Sequence, residues 1–267
     1  MQVTDKAYQE HRVFAELQLY IEFYEQLAMS VFSFATMGTK AICNIDTYVY
    51  SSMQGTVESM RIILLAGRIN DAYSLMRKYY DSSVINVYSN LYLQDNFSID
   101  NFIVEKINNW LRGKEKLPEY RVMIQYIRNS EVLKLINDVL SADDRYKHLR
   151  DRCNDHTHYN FYHHAMLNDR EIHIDNRGWW LDRFAEDVRD TFILHLGYIF
   201  FLNGHYMMSS DHLDAIECGM RPEEGSEYWV APFIQEIFDE VITPRRPDIT
   251  AVIKANSMMQ LSESLKV

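Results

Sequence analysis

The sequence predicts an all-α helical bundle, on three observations. Apolar residues recur at three- and four-residue steps through most of the chain, the spacing of one helix face. Glycine and proline together number only 14 of 267 residues, while hydrophobic residues make up 47%. That balance favours a well-buried helical globule over a strand-rich or disordered chain. Glycines and prolines such as Gly38, Gly67, Gly113 and Pro118 fall at the ends of the apolar runs.

The first helix is expected over 11–35. Val13, Leu17, Tyr20, Tyr24, Leu27, Val31 and Phe34 step by four and three. Phe14, Ile21 and Ala28 widen the stripe, which suits packing in a bundle better than a narrow coiled-coil seam. Gly38 is expected to end the helix. A second helix spans 52–66, with Met53, Val57, Met60 and Leu64 on one face and Gly67 as its C-terminal cap. The third follows at once, with Asn70 or Asp71 as N-cap and Ala72, Leu75, Met76, Tyr79, Val87, Tyr88 and Leu91 in helical register. So short a connection makes these two an antiparallel pair.

A shorter helix is expected over 98–111, with Ile99, Phe102, Ile103, Ile107 and Trp110 apolar and Gly113 beyond its end. Pro118 can open the next helix. Ser130 precedes another, which carries Val132, Leu133, Leu135, Ile136, Val139 and Leu140. Ser141-x-x-Asp144 has the form of a capping box leading into a further helix. The pattern breaks over 161–178, where an alternating EIHID runs into Asn176-Arg177-Gly178; a short hairpin or ordered loop is expected there. Residues 179–208 read as a long helix, in one piece or in two around Gly197, and 231–241 as another. From Pro244 an arm or a disordered tail is expected. The simplest division is a helical domain over 1–210 and an appendage over 211–267, helical or extended, packed on the domain or partly disordered.

The net charge of −11 gives no global field toward nucleic acid or an anionic membrane. Cys43, Cys153 and Cys218 are odd in number, widely spaced and without a CxxC, the pattern of reduced thiols in a cytosolic protein. The N-terminus lacks a basic segment followed by an apolar one, so no secretory signal is read there. The most apolar run, over 192–202, is too short to span a bilayer and carries His195. A cytoplasmic location without membrane contact is the expectation.

Residues 145–158 are unlike the rest. Arg145, Lys147, Arg150 and Arg152 stand against Asp151 alone between positions 145 and 152, a cationic island in an acidic chain. Six of the ten histidines fall between His148 and His173. Tyr146, Leu149 and Cys153 are the main apolar residues, so one face of this helix can be buried while the other presents polar groups. The bland alternative is a solvated helix end.

RDRCNDHTH, 150–158, resembles the Arg-x4–6-His motif of HEPN-domain proteins. Two registers satisfy it: Arg152 with His158, the preferred pair, and Arg150 with His156. The upstream GRINDAYSLMRKYYD also resembles the helix that packs beside the motif helix in these bundles, so the resemblance covers about 50–210. It implies RNA cleavage without a metal or other cofactor. Histidine titrates near neutrality and serves as acid or base, and arginine forks onto phosphate oxygens. The product ends would be a 2′,3′-cyclic phosphate and a 5′-hydroxyl. One such pair per chain is a small set, and the resemblance implies a homodimer that brings two motifs together. The stripes on 13–34 or 181–202 are candidate interfaces, each equally a candidate core. Asn154 and Asp155 are placed to orient an imidazole. Cys153 or Asp151 follows the arginine where many active members carry a polar residue such as asparagine.

The role this implies is a toxin or phage-defence effector, with RNA bound at 145–152 and a cognate antitoxin or regulatory protein as partner. A second reading is a catalytically silent HEPN-like module for protein interaction or nucleotide binding, which the acidic charge suits. A third is a metal-dependent hydrolase using the cluster His156–His164. No HExxH and no Cys/His quartet of zinc-finger spacing supports it. Glu16, Glu22 and Glu25 are expected on the solvated side of the first helix.

Overall fold

The structure, a computed structural model, describes residues 1–34, 38–41 and 44–262. In chain order the helices are α1 (Lys6–Gln9), α2 (Val13–Phe32), α3 (Ile45–Leu65), α4 (Ile69–Asn96), α5 (Glu105–Leu111), α6 (Tyr120–Arg128) and α7 (Lys134–Leu140). They continue as α8 (Arg145–Thr157), α9 (Tyr162–Met166), α10 (Arg177–Leu202), α11 (Asp211–Glu217), α12 (Pro232–Ile237), α13 (Thr243–Arg245) and α14 (Pro247–Asn256). Short 3-10 turns lie at Gly38–Ala41, Gly204–Met207 and Ser226–Tyr228, and a π turn at Phe238–Ile242. Among the described residues only two isolated β-bridges occur and no strand. The all-α expectation holds. No helix among them is long and apolar enough to cross a membrane.

The chain forms two compact units. Unit 1 comprises 1–25, 49–83 and 143–192. Its core repeats the stripes expected from the sequence: Val13, Leu17, Tyr20 and Tyr24 from α2, Val57, Met60 and Leu64 from α3, and Ala72, Met76 and Tyr79 from α4 are buried, as is Tyr73, which the pattern did not include. Rings dominate it. Tyr20 stacks on Phe192 at 4.2 Å between centroids, and Phe23 and Tyr24 meet the same ring edge-on. The hydroxyls of Tyr24 and Tyr79 bond each other at 2.7 Å, so neither is stranded in the apolar interior. The 13–34 stripe is therefore core down to Val31, as are Leu181, Val188, Leu196 and Ile199 of α10, and neither stripe is open as an interface. Glu16 is not on a solvated face either. It takes Arg12 at 2.8 Å and Arg189 at 2.5 Å.

Gly67 turns the chain between α3 and α4 at φ +82°, where a Cβ would lie 2.4 Å from a Val3 methyl. The next helix is not capped by its own Asn70 or Asp71. The Asp71 N–H donates to the Asn168 side chain at 3.2 Å, and Asn168 donates back to the Asp71 carboxylate at 2.7 Å. A remote residue thus satisfies a first-turn donor, which local sequence could not reveal. Residues 161–176 form α9 and an ordered loop, and α10 starts at Arg177. Fully buried Arg177 ties that loop, donating to the Asp169 carbonyl at 2.5 Å and the Met1 carbonyl at 3.2 Å.

Unit 2 comprises 26–48, 84–142 and 193–267. Buried His195 pairs with Asn86 at 2.9 Å, and Tyr198 donates to Asn137 at 2.7 Å. α2 ends at Phe32, before Gly38, and α3 begins at Ile45, seven residues ahead of the expected start. α5 begins at Glu105 rather than near 98. Ile99 and Ile103 are exposed, and Ser98 and Asn101 close a turn on each other instead. α10 runs unbroken through Gly197. A Cβ there would lie 3.4 Å from Ile249, so the glycine admits α14 close to the helix. From Pro244 the chain is not an arm. Ile249 and Ile253 of α14 are buried, and buried Arg246 donates to the Val139 carbonyl at 2.9 Å. Cys43 and residues 263–267 lie outside the described residues.

Gly67→Ala is expected to lower the stability of the fold by about 1–3 kcal/mol, the cost of a left-handed non-glycine residue to which the Val3 contact adds. Urea denaturation of the two proteins checks it.

Candidate functional site

α8 buries a stripe at steps of three, four and three: Tyr146, Leu149, Cys153 and His156. The anticipated capping box does not form. α8 starts at Arg145, and the Arg145 N–H donates to Asp143 at 3.0 Å. Lys147, His148 and Asp151 are exposed, and Arg150 and Arg152 are half-buried. Six residues turn a helix by about 600°, so neither Arg–His pair shares one face of α8.

Arg152 is committed to a structural partner. Its Nε donates to Asp187 Oδ2 at 2.9 Å and its Nη2 to Asp187 Oδ1, a two-point pair across to α10. The Tyr73 hydroxyl gives the same carboxylate a third donor at 3.2 Å. Burial pushes the Asp187 carboxyl above its ordinary value, and Arg152 and Tyr73 pull it back. Asn154 does not orient an imidazole. It accepts from Arg77, which also holds Asp81 at 2.9 Å.

His156 has no exposed surface. Its ring lies between Tyr73, at 4.0 Å, and His164, at 3.9 Å, with the Trp180 ring edge-on. Asn70 Oδ1 accepts from Nδ1 at 2.9 Å, which leaves the lone pair of Nε2 buried without a hydrogen-bond partner. Burial lowers its pKa to about 3, and His164, His163 and Arg152 push the same way. It is a neutral ring at physiological pH and cannot donate a proton from a charged form. The Asp155 carbonyl, not its carboxylate, orients His164 at 3.1 Å.

His158 is the opposite case. It is the C-cap of α8 and is exposed. The helix closes in a Schellman motif: the Tyr159 N–H reaches the His156 carbonyl at 3.3 Å and the Asn160 N–H reaches the Asp155 carbonyl at 3.0 Å. The left-handed position is filled by Tyr159, at φ +49°, where glycine or asparagine is usual. Beyond it, Tyr159, Phe161 and Tyr162 are exposed by 51%, 53% and 82%. Ring contacts run on from Phe161 to His163, Trp180 and half-exposed Trp179, over which the Arg183 guanidinium sits at 5.8 Å.

The chain matches no known family model, curated protein or solved structure.

Arg152 and His158 share no hydrogen bond, and Arg152 is held by Asp187. Among the described residues no three His, Cys, Asp or Glu side chains are arranged to hold a metal ion. In the 156–164 cluster, His156 and His164 are stacked face to face instead. Asp187 and Asn70 were not anticipated. An acid inside the buried Phe184–Val188–Phe192 stripe of α10 was the available signal for Asp187. Asn70 carried none, because a cap position explained it equally well.

Two outcomes are expected. His156 and His195 both sit near 3 in the folded chain against an ordinary 6.5. Below about pH 6.5 the unfolded chain takes up protons that the folded chain does not, so the stability present above that value is lost as pH falls toward 3. Each imidazole contributes a slope of about 1.4 kcal/mol per pH unit. Urea unfolding between about pH 6.5 and about pH 5 reads the slope, and His156→Gln should lower it by up to about 1.4 kcal/mol per pH unit. Separately, Tyr159→Gly should stabilise the fold by about 1–2 kcal/mol by relieving the left-handed strain, seen as a raised urea midpoint.

Proposed function

We propose that unit 1 is a metal-independent endoribonuclease of HEPN type, with His158 as its general base. One observation carries this reading. Of the two motif histidines, His158 alone stands in solvent, at the end of a cationic helix and beside a strip of exposed rings. Exposed rings stack on unpaired bases, and cations of α8 such as Lys147 attract the backbone. His158 removes the 2′-hydroxyl proton as the 2′-oxygen bonds to phosphorus. The P–O5′ bond breaks, and the 5′-oxygen receives a proton from a second imidazole supplied by another copy of the chain. Arg152, His156 and Asn154 hold the helix in place. The cell-level role implied is that of a toxin or phage-defence effector.

A second reading is favoured by the Arg152–Asp187 pair: a silent module that binds RNA without cutting it, since the motif arginine is already neutralised.

Cleavage of a fluorescent single-stranded RNA in excess chelator separates the two. The expected result is cleavage to 2′,3′-cyclic phosphate ends, reduced at least about 100-fold by His158→Ala with an unchanged melting curve. Binding without cleavage supports the silent module. Absence of both, or full activity in His158→Ala, removes the nuclease reading.

A further inference from the structure

Unit 2 contains a cleft of about 430 Å³ that has no part in the Arg–His chemistry. Its floor is a buried carboxylate. Asp46, 7% exposed in the first turn of α3, accepts from Asn86 at 2.7 Å and Asn90 at 2.9 Å on one oxygen, and from Tyr206 at 2.6 Å on the other. These three donors come from two other helical segments, so the carboxylate is fixed in place and the Tyr206-bonded oxygen keeps a lone pair.

One wall is aromatic. Phe34 meets His205 edge-on at 5.2 Å and stacks with Tyr206 at 5.8 Å, and His205 is exposed. Lys40 lines the cleft as well, over the Phe97 ring at 5.2 Å.

We propose that this cleft binds a nucleoside monophosphate. Three features select that chemistry. A fixed acceptor at the floor calls for a ligand with an N–H on a flat edge, as bases have. The Phe34–His205–Tyr206 wall suits the face of a conjugated ring. Lys40 supplies a cation for a phosphate. The presence of that lysine argues against an organic cation, which the rings and carboxylate alone would also suit. The volume lies within the range of small-molecule sites and exceeds what a single amino acid fills. The site is independent of RNA cleavage, and its occupancy does not depend on His158.

Isothermal titration of the full chain with AMP, GMP, CMP and UMP tests it, with ribose 5-phosphate and inorganic phosphate as controls. The expected result is saturable binding of at least one nucleotide, at least tenfold tighter than either control. Lys40→Gln should weaken it at least tenfold while the melting temperature of the free protein is unchanged. Phosphate or ribose 5-phosphate binding as tightly as every nucleotide overturns the base-and-wall assignment. Equal affinity in Lys40→Gln overturns the phosphate seat, and no saturable binding up to millimolar nucleotide overturns the proposal.

Discussion

The two-point pair between Arg152 and Asp187 sets what α8 can do. An acid on the buried face of α10 is tolerable only if a cation meets it with matched geometry, because an unpaired buried carboxylate is strongly destabilising. Arg152 supplies that cation from α8, and Tyr73 of α4 completes the shell. Three helices are thereby registered on one carboxylate. The same placement turns the 146–149–153–156 stripe inward and carries His156 with it, among Tyr73, His164 and Trp180. The most polar segment of the sequence is thus also a structural joint of unit 1.

The free end of α8 follows from that joint. Beyond buried His156 the helix stops within one turn, in a Schellman motif. Tyrosine at the left-handed position costs about 1–2 kcal/mol relative to glycine. The turn exposes His158 and the rings of Tyr159, Phe161 and Tyr162. A conformation kept at an energetic cost, where a cheaper residue would close the helix equally well, points to a requirement on the surface rather than in the core.

The fold class was legible because packing follows helical periodicity. Stripes such as Leu17–Tyr20–Tyr24–Leu27 and Val57–Met60–Leu64 are buried as spaced. Errors fell where side chains and backbone groups found partners other than those the local pattern offered. Asn168 caps α4, Asp143 rather than Ser141 meets the start of α8, and Asn101 replaces the first turns expected of α5. The tail from Pro244 read as an arm because prolines and charges dominate its start; two buried isoleucines and Arg246 decide otherwise. Within the motif, residue types were visible and their partners were not. A sequence shows that Arg152 and His156 are near each other along a helix, not that Asp187 and Asn70 claim them.

That division bears on stoichiometry. General base and general acid steps on one phosphodiester need two titrating groups in place at once. His156, with a pKa near 3, is a neutral ring sealed by packing and is not one of them. His164 is buried against it, and its pKa is also lowered, first by burial. One chain therefore presents a single motif imidazole, His158, to solvent. If the chain cleaves RNA, the second proton carrier must come from outside the motif of the same protomer, and a second copy with its own His158 is the simplest source. On the proposed nuclease reading, a motif with one solvent-facing histidine per chain makes assembly, not side-chain identity, the step that completes the site.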